Sequence, residues 1–281
     1  MLDIKDLTPK EAMRLTKGMT PDRFLNLLMD YVDNGKYTEE DAIGMFVRAY
    51  LDSKTGLWNS ESLHSGIAEY IDDARSGKRE DKGISVIFGD LDGFKKFNDT
   101  YGHGKGDYVL EQFGHVLDRT RRETDKRYKC HRNGGDEFVV VLFGADERGV
   151  EAFRERLTKN IKKRKDAFYR AVEGDPESIG FLYSKGVSLD GFYKDLEGLN
   201  TSLGSASLSG EELGSGLTSV ELAEKIISMA DASMYADKKG RNKAHAEGLY
   251  PEYLGKGISP YQAYASQMAG IDKGSIIDIT A

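Results

Sequence analysis

The stretch His131-Arg-Asn-Gly-Gly-Asp-Glu-Phe-Val-Val-Val-Leu-Phe143 places two glycines and two carboxylates directly before strand-forming residues. It predicts strands at 128–131 and 137–143, with a tight hairpin turn at the Asn-Gly-Gly between them. Such glycines adopt positive φ angles and let backbone N–H groups approach a phosphate. Asp136 and Glu137 would repel that phosphate unless a divalent cation lay between them. Taken alone, the stretch also fits a surface hairpin with solvated charges.

A second acidic stretch favours a metal-binding or catalytic site over a surface hairpin with solvated charges. Residues 84–88 predict a buried strand, which runs into Asp90-Leu91-Asp92. Carboxylates at a strand end lie at the edge of the sheet where open α/β sheets hold their ligands. Capping of the next helix is an equally good explanation of this stretch alone. Together, the two stretches favour a two-metal site for phosphoryl transfer, with Lys95 available to neutralise charge.

Composition narrows the class of partner. The chain has 281 residues, and 40 Lys and Arg against 47 Asp and Glu give a formal net charge of −7. A nucleic-acid polymer is therefore not an expected partner, because such binding depends on clustered positive charge. The single cysteine, Cys130, excludes an internal disulfide and a multi-thiolate metal site. No stretch resembles a signal peptide or a membrane span, so we expect a cytoplasmic protein.

The hydrophobic pattern divides the chain into three parts. Residues 1–51 predict a small helical module for regulation or dimerisation, with Pro21 in the first turn of one helix. Residues 52–247 alternate strands and helices, which predicts an α/β domain with a mixed sheet flanked by helices. Its segment 162–198 is enlarged and reads as a basic run followed by a loop. Residues 248–281 form a tail. Helices are predicted at 60–74, 108–120, 150–161 and 220–239, the last closed by Gly240, and a further strand at 200–208.

Four motifs, spread over residues 52–243, resemble those of the GGDEF-domain diguanylate cyclases, which condense two GTP molecules on a palm-like α/β fold. Asp90-Leu-Asp-Gly-Phe-Lys-Lys-Phe-Asn-Asp-Thr-Tyr-Gly-His-Gly-Lys-Gly-Asp107 matches the block DxDxFKxxNDxxGHxxGD at every defined position. Gly134-Gly-Asp-Glu-Phe138 is the intact signature. Asp52-Ser-Lys-Thr-Gly-Leu-Trp-Asn59 is similar to DxLTGLxNR, with Lys54 in place of the leucine and Ser60 in place of the arginine. Ala230-Asp-Ala-Ser-Met-Tyr-Ala-Asp-Lys238 resembles ADxxMYxxK, although Gly240 comes one residue early.

The resemblance implies a role for each matching residue. Mg²⁺, or Mn²⁺ in its place, would be bound by Asp90, the carbonyl of Leu91, Asp136 and Glu137. Asp136 would also deprotonate the ribose 3′-hydroxyl, which attacks the α-phosphorus as pyrophosphate leaves. The residues implied in catalysis are Asp136, Glu137 and Lys95, and those implied in substrate binding are Phe94, Asn98, His103, Asp107, Gly134, Gly135 and Lys238. Asn98 and Asp107 would recognise guanine, because a carboxylate can accept hydrogen bonds from its N1–H and N2–H groups. His103 could equally hold its loop, and Lys238 could be a solvated lysine at a helix end.

A cyclic product needs two facing subunits, so the resemblance implies a homodimer. Residues 8–51 are the candidate dimerisation element, and they or the segment 162–198 could bind a regulatory partner. Eight residues separate Arg122-Glu-Thr-Asp125 from Gly134, whereas five separate the family's RxxD motif from its glycine pair, which argues against feedback inhibition by product.

Two other functions are compatible with the same motifs. One is a GTP or cyclic-dinucleotide receptor without turnover, although such proteins usually have altered signature residues. The other is a synthase of a hybrid cyclic dinucleotide, against which Asp107 argues.

Overall fold

The structure is a computed structural model that describes residues 19–79, 83–120 and 128–246, with the backbone alone for 241–246. The predictions for residues 1–18, Arg122–Asp125 and the tail 248–281 lie outside these residues. The elements are α1 (Pro21–Asp33), α2 (Glu39–Tyr50), α3 (Ser60–Arg75), β1 (Gly83–Leu91), α4 (Phe94–Tyr101), α5 (His103–Thr120), β2 (Tyr128–Gly134), β3 (Glu137–Phe143), α6 (Glu147–Glu173), α7 (Pro176–Ser184), α8 (Leu189–Gly198), β4 (Thr201–Ser209), α9 (Gly210–Leu213) and α10 (Ser219–Ala246).

The first two helices form a small unit with its own apolar cluster. Thr20 caps α1, whose first residue is Pro21, as the sequence predicts. Thr38 and Asp41 form a capping box at the start of α2. Phe24 and Tyr50 meet edge to face in the centre of the cluster, with ring centroids 5.6 Å apart. The unit is joined to the sheet through Trp58, which packs against it and bridges to β2.

The predicted α/β class is confirmed, and one detail of the sheet is corrected. The strand order is β2-β3-β1-β4, and every paired strand is antiparallel to its neighbours. The prediction of a mixed sheet was wrong because the connection through α4 and α5 carries the chain past β3. Strands β1 and β2 therefore run in the same direction but do not touch. The only parallel pairing among the described residues is an isolated bridge between Trp58 and His131.

Both faces of the sheet are buried, which explains the continuous apolar runs of β1 and β3. Ile87 and Val140 face the cluster formed with α4 to α8, whereas Val86 and Val141 face the cluster formed with α3 and α10. Successive strand residues alternate between the two faces, so two hydrophobic clusters enclose the sheet. None of the helices in the described ranges is both long enough and apolar enough to cross a bilayer.

The segment 162–198 is helical and not loop-like, which corrects the prediction. Helix α6 continues through the basic run to Glu173, because Phe168 and Val172 carry its apolar face onwards. Asp175 and Ser188, which suggest a loop in the sequence, are the N-caps of α7 and α8. Gly240 does not end the last helix either, since α10 continues to Ala246.

His131 is a buried titratable group that links the sheet to the loop before α3. It is 1% exposed, and its Nδ1 lies 3.3 Å from the carbonyl oxygen of Asn59 and 3.3 Å from the hydroxyl of Ser62. Burial lowers the pKa of His131 to about 3, and the Asn59 carbonyl only partly opposes this. The folded protein therefore keeps this imidazole neutral at physiological pH.

We predict that stability falls as the pH is lowered below about 6.5, because the unfolded chain then binds a proton that folded His131 does not. The free energy of unfolding should decrease by roughly 1.5 kcal/mol between pH 6.5 and pH 5. Urea titrations followed by the fluorescence of Trp58, the single tryptophan, measure this directly. His131→Asn should flatten the dependence, whereas the exposed control His115→Asn should retain it. Equal slopes for His131→Asn and the parent protein would contradict the assignment.

Candidate active site

The structure brings the two acidic stretches together at one end of the sheet. Asp90, near the end of β1, is paired in register with Glu137, the first residue of β3. The N–H of Leu91 donates to the carbonyl of Asp136 at 3.2 Å, which ties the hairpin turn to the end of β1. Gly134 and Gly135 in that turn have φ of 144° and 52°, so both need the freedom of glycine.

Two carboxylates and one ammonium group dominate the electrostatics of this end. Burial and the negative charge of Asp90 raise the pKa of Asp136, and Lys238 and Arg132 offset this only in part. Lys238 Nζ donates to Asp90 Oδ1 at 2.5 Å. Burial would lower the pKa of Lys238, but the hydrogen bond and charge of Asp90 outweigh it and raise that pKa. The ammonium of Lys238 therefore partly compensates a concentration of negative charge.

Helix α10 positions Lys238 by packing its backbone against β4. A Cβ on Gly204 would come within 1.9 Å of the Met234 nitrogen and 2.3 Å of the Ala230 carbonyl oxygen, so only glycine fits there. The Asp237 carboxylate accepts the N–H of Leu203 at 3.3 Å. Ala230, Met234 and Lys238 are four residues apart in sequence, so they lie along one side of the helix. Continuation of the helix past Gly240 leaves that spacing unchanged.

A third carboxylate, Glu137, lies in the same turn but has a different partner. Its Oε2 accepts from Asn133 Nδ2 at 3.1 Å. Within the described ranges, no group of three or more His, Cys, Asp or Glu is arranged to hold a metal ion. Asp90 and Asp136 nevertheless offer hard oxygen ligands whose mutual repulsion a divalent cation would relieve, so these residues fit such an ion.

The residues expected at the nucleotide differ in their burial and in their contacts. Phe94, at the start of α4, is buried in the core. Lys95 and His103 are exposed, and neither makes a hydrogen bond or ion pair with another described residue. Asn98 lies against Gly106, where a Cβ would come within 1.7 Å of its amide oxygen. The structure thus joins the end of α4 to the start of α5, but it does not connect Lys95 or His103 to the carboxylates.

Sequence reasoning missed Arg132, which holds the glycine turn in place. Its Nη1 donates to both carboxylate oxygens of Asp52 at 3.1 Å, and its Nη2 donates to the Gly135 carbonyl at 2.7 Å. Burial alone would raise the pKa of Asp52, but hydrogen bonds from Thr55 and Arg132 outweigh it and lower that pKa. The signal was present in the sequence as an arginine two residues before the glycine pair. Its partner, eighty positions earlier, was not visible.

Comparison with known proteins decides the family. The family model described as "Diguanylate cyclase, GGDEF domain" matches residues 49–189, which is half of the chain. The chain belongs to the GGDEF-domain family. The matched range of this GGDEF domain includes the Arg132–Asp52 pair, the glycine turn and Asp90, but it ends before β4 and the helix that carries Lys238.

Curated relatives match shorter parts of this GGDEF protein. Diguanylate cyclase DgcS of Shewanella oneidensis is 40% identical over 104 residues, which are 36% of this chain and 32% of that protein. Diguanylate cyclase A of Treponema denticola is 28% identical over 178 residues, 63% of this chain and 38% of that protein. Diguanylate cyclase DgcP of Escherichia coli is 30% identical over 168 residues, 55% of this chain and 48% of that protein. The chain therefore spans less than half of each of these relatives.

A solved structure confirms the fold over a larger part of the chain. The coiled coil and GGDEF domain of DgcB from Caulobacter crescentus, in complex with c-di-GMP, superposes with a TM-score of 0.55 at 22% identity. The alignment covers 76% of this chain and 94% of that one. The GGDEF domain of the same protein gives a TM-score of 0.50 at 23% identity, covering 68% of this chain and 91% of that one.

Proposed function

We propose that this protein is a diguanylate cyclase, which condenses two GTP molecules into cyclic di-GMP and two pyrophosphates. The observation that carries the proposal is the hydrogen bond that joins the glycine turn to the end of β1, because it brings Asp136 close enough for the charge of Asp90 to raise its pKa. Membership of the GGDEF family supports the same reaction. A cytoplasmic location belongs to this proposal, since the substrate is a cytoplasmic nucleotide.

Each residue at the sheet end receives a role in this reaction. Asp136 takes the proton of the ribose 3′-hydroxyl as the general base. Lys238 neutralises Asp90 before substrate arrives and is then available to the triphosphate. The backbone N–H groups of the turn at Gly134 and Gly135 donate hydrogen bonds to phosphate oxygens. Lys95 and His103 are exposed, which leaves both side chains accessible to a bound nucleotide.

Cyclases of this family generally use a divalent metal ion, and two of the expected ligands fit one. We propose that Asp90, Asp136 and the carbonyl of Leu91 hold Mg²⁺ or Mn²⁺. When bound, such an ion supplies positive charge that stabilises a phosphoryl-transfer transition state. Glu137 joins the set only if it exchanges Asn133 for the ion.

The helical module is proposed to bring two catalytic domains together. It exposes apolar side chains at i, i+4 spacing on both helices, namely Leu25 and Met29 on α1 and Ile43 and Val47 on α2. Ile43 is the most exposed of these, at 61%. Apolar residues at this spacing on a helix surface suit a partner helix. The division into the module 1–51, the domain 52–247 and the tail 248–281 is part of this proposal.

The double variant I43K/V47K tests the dimer interface. A two-fold interface would place the new lysines of both subunits near each other, so their repulsion should dissociate the dimer at micromolar concentration. Activity per subunit should fall by about tenfold and recover partly as the protein concentration is raised. Sedimentation velocity and pyrophosphate release measure the two effects. Val220→Lys, which also charges an exposed apolar position, should change neither. Full activity from a monomeric I43K/V47K protein would contradict the proposal.

Product identification tests the reaction itself. The full chain is incubated with GTP and Mg²⁺ at a protein concentration that favours dimers, and the nucleotide products are identified by mass spectrometry. Cyclic di-GMP with two equivalents of pyrophosphate is the expected result. A second incubation with ATP and GTP together should give no mixed dinucleotide. Absence of any cyclic product over the whole concentration range would overturn the proposal.

A further inference from the structure

Lys54 departs from the family motif, and the structure gives it a defined partner. Its Nζ donates to Oδ1 of Asp107 at 2.5 Å. Asp107 is the carboxylate that the resemblance to the GGDEF family assigns to the guanine base. The departure from leucine therefore places a positive charge directly beside the acceptor that would read the base.

The turn that carries Lys54 is held firmly in this position. Asp52 Oδ1 accepts from the backbone N–H of Thr55 at 2.9 Å and from its hydroxyl at 2.8 Å. Thr55 is buried against Gly114 of α5, where a Cβ would come within 3.0 Å of the threonine Cβ. Gly114 lies two helical turns after Asp107, so both residues are on the same side of α5. This packing fixes the backbone of Lys54 next to Asp107.

The ion pair by itself contributes little to folding. The side chains of Lys54 and Asp107 are 47% and 46% exposed, and water screens pairs that are this accessible. A ligand can therefore contact both groups without a large loss of existing interactions. The pair is an accessible donor and acceptor, side by side, on a rigid support.

A second observation nearby also points to a ligand. The amide oxygen of Asn98 is buried and has no hydrogen-bond partner among the described residues. It lies against Gly106, the residue before Asp107. Buried polar atoms are nearly always hydrogen-bonded in folded proteins, so this side chain, which the resemblance assigns to guanine, has an unused acceptor close to Asp107.

We propose that Lys54 is a base-specificity residue that donates a hydrogen bond to O6 of guanine while Asp107 accepts from N1–H and the N2 amine. Guanine presents an acceptor beside two donors, and Lys54 beside Asp107 presents the complementary pattern. Adenine carries an amine at position 6. This amine and the lysine ammonium are both hydrogen-bond donors, so they cannot bond to each other. The inference rests on the proposed function and adds to it a second residue that distinguishes the two bases.

Equilibrium binding of two non-cleavable nucleotides tests this inference. The full chain is titrated in Mg²⁺ with guanosine 5′-[α,β-methylene]triphosphate and with the adenosine equivalent, by calorimetry. Lys54→Met should weaken binding of the guanosine nucleotide by about tenfold and leave that of the adenosine nucleotide unchanged or tighter. Lys54→Arg should retain affinity within about threefold, because a guanidinium also donates to O6.

A matched control removes a lysine that also forms an ion pair in this region. Lys96 on α4 contacts Asp195 at 3.3 Å, and Lys96→Met should not change the affinity for either nucleotide. Equal losses for both nucleotides in Lys54→Met would overturn the inference, since they would indicate a contact with the triphosphate. Tighter binding of the guanosine nucleotide would also overturn it, because Lys54 would then compete with the base for Asp107. If the parent protein bound no guanine nucleotide, the proposed function would fail as well.

Discussion

Replacing Asp136 with asparagine is expected to reduce the rate of cyclic di-GMP formation by at least about a thousandfold. The amide cannot take the proton of the ribose hydroxyl, and it is a poor ligand for a divalent cation. The fold should persist, because the contact of this residue with β1 is made by its backbone carbonyl to Leu91 and does not involve the side chain. Initial rates of pyrophosphate release at saturating GTP measure the loss.

Thermal unfolding separates this loss of catalysis from misfolding. Asp136→Asn removes a repulsion with Asp90, so its unfolding midpoint should equal or exceed that of the parent protein. Asp118→Asn, on an exposed position of α5, is the matched control and should keep full activity. A rate for Asp136→Asn within tenfold of the parent rate would remove Asp136 from the chemistry.

Replacing Gly204 with alanine is expected to destabilise the protein by about 3 kcal/mol or more. The new methyl group would overlap backbone atoms of Met234 and Ala230, and a backbone cannot rotate away as a flexible side chain can. Helix α10 would have to move off β4, and with it Lys238 would leave Asp90. Chemical denaturation gives the loss of stability.

The control for this effect is a glycine with open space around it. A Cβ added to Gly180 in α7 would meet no atom within 4 Å, so Gly180→Ala should leave stability unchanged or raise it slightly. If Gly204→Ala were as stable as the parent protein, the close packing of α10 on β4 would be wrong. Activity should fall in parallel with stability, because Lys238 depends on the position of this helix.

Predictions from sequence succeeded where the signal was local. The hairpin needed only its glycine pair between two apolar runs, and the start of α1 needed only Thr20 and Pro21. The prediction for the segment 162–198 failed because its signal is not local. Its helix-capping residues are of the same types that are common in loops. Whether Asp175 or Ser188 starts a helix depends on apolar residues further along that pack against the core.

The sequence by itself determined the family and the two acidic stretches, because motif residues and strand periodicity are written in the order of the chain. Only the tertiary structure decided which charges face each other. The pairs Lys238 with Asp90, Arg132 with Asp52 and Lys54 with Asp107 join residues 148, 80 and 53 positions apart. Three contacts set these distances. They are the close packing of α10 on Gly204, the hydrogen bonds of Arg132 to the glycine turn, and the contact of Thr55 with Gly114. Such contacts arise when the chain packs, so no local pattern encodes them.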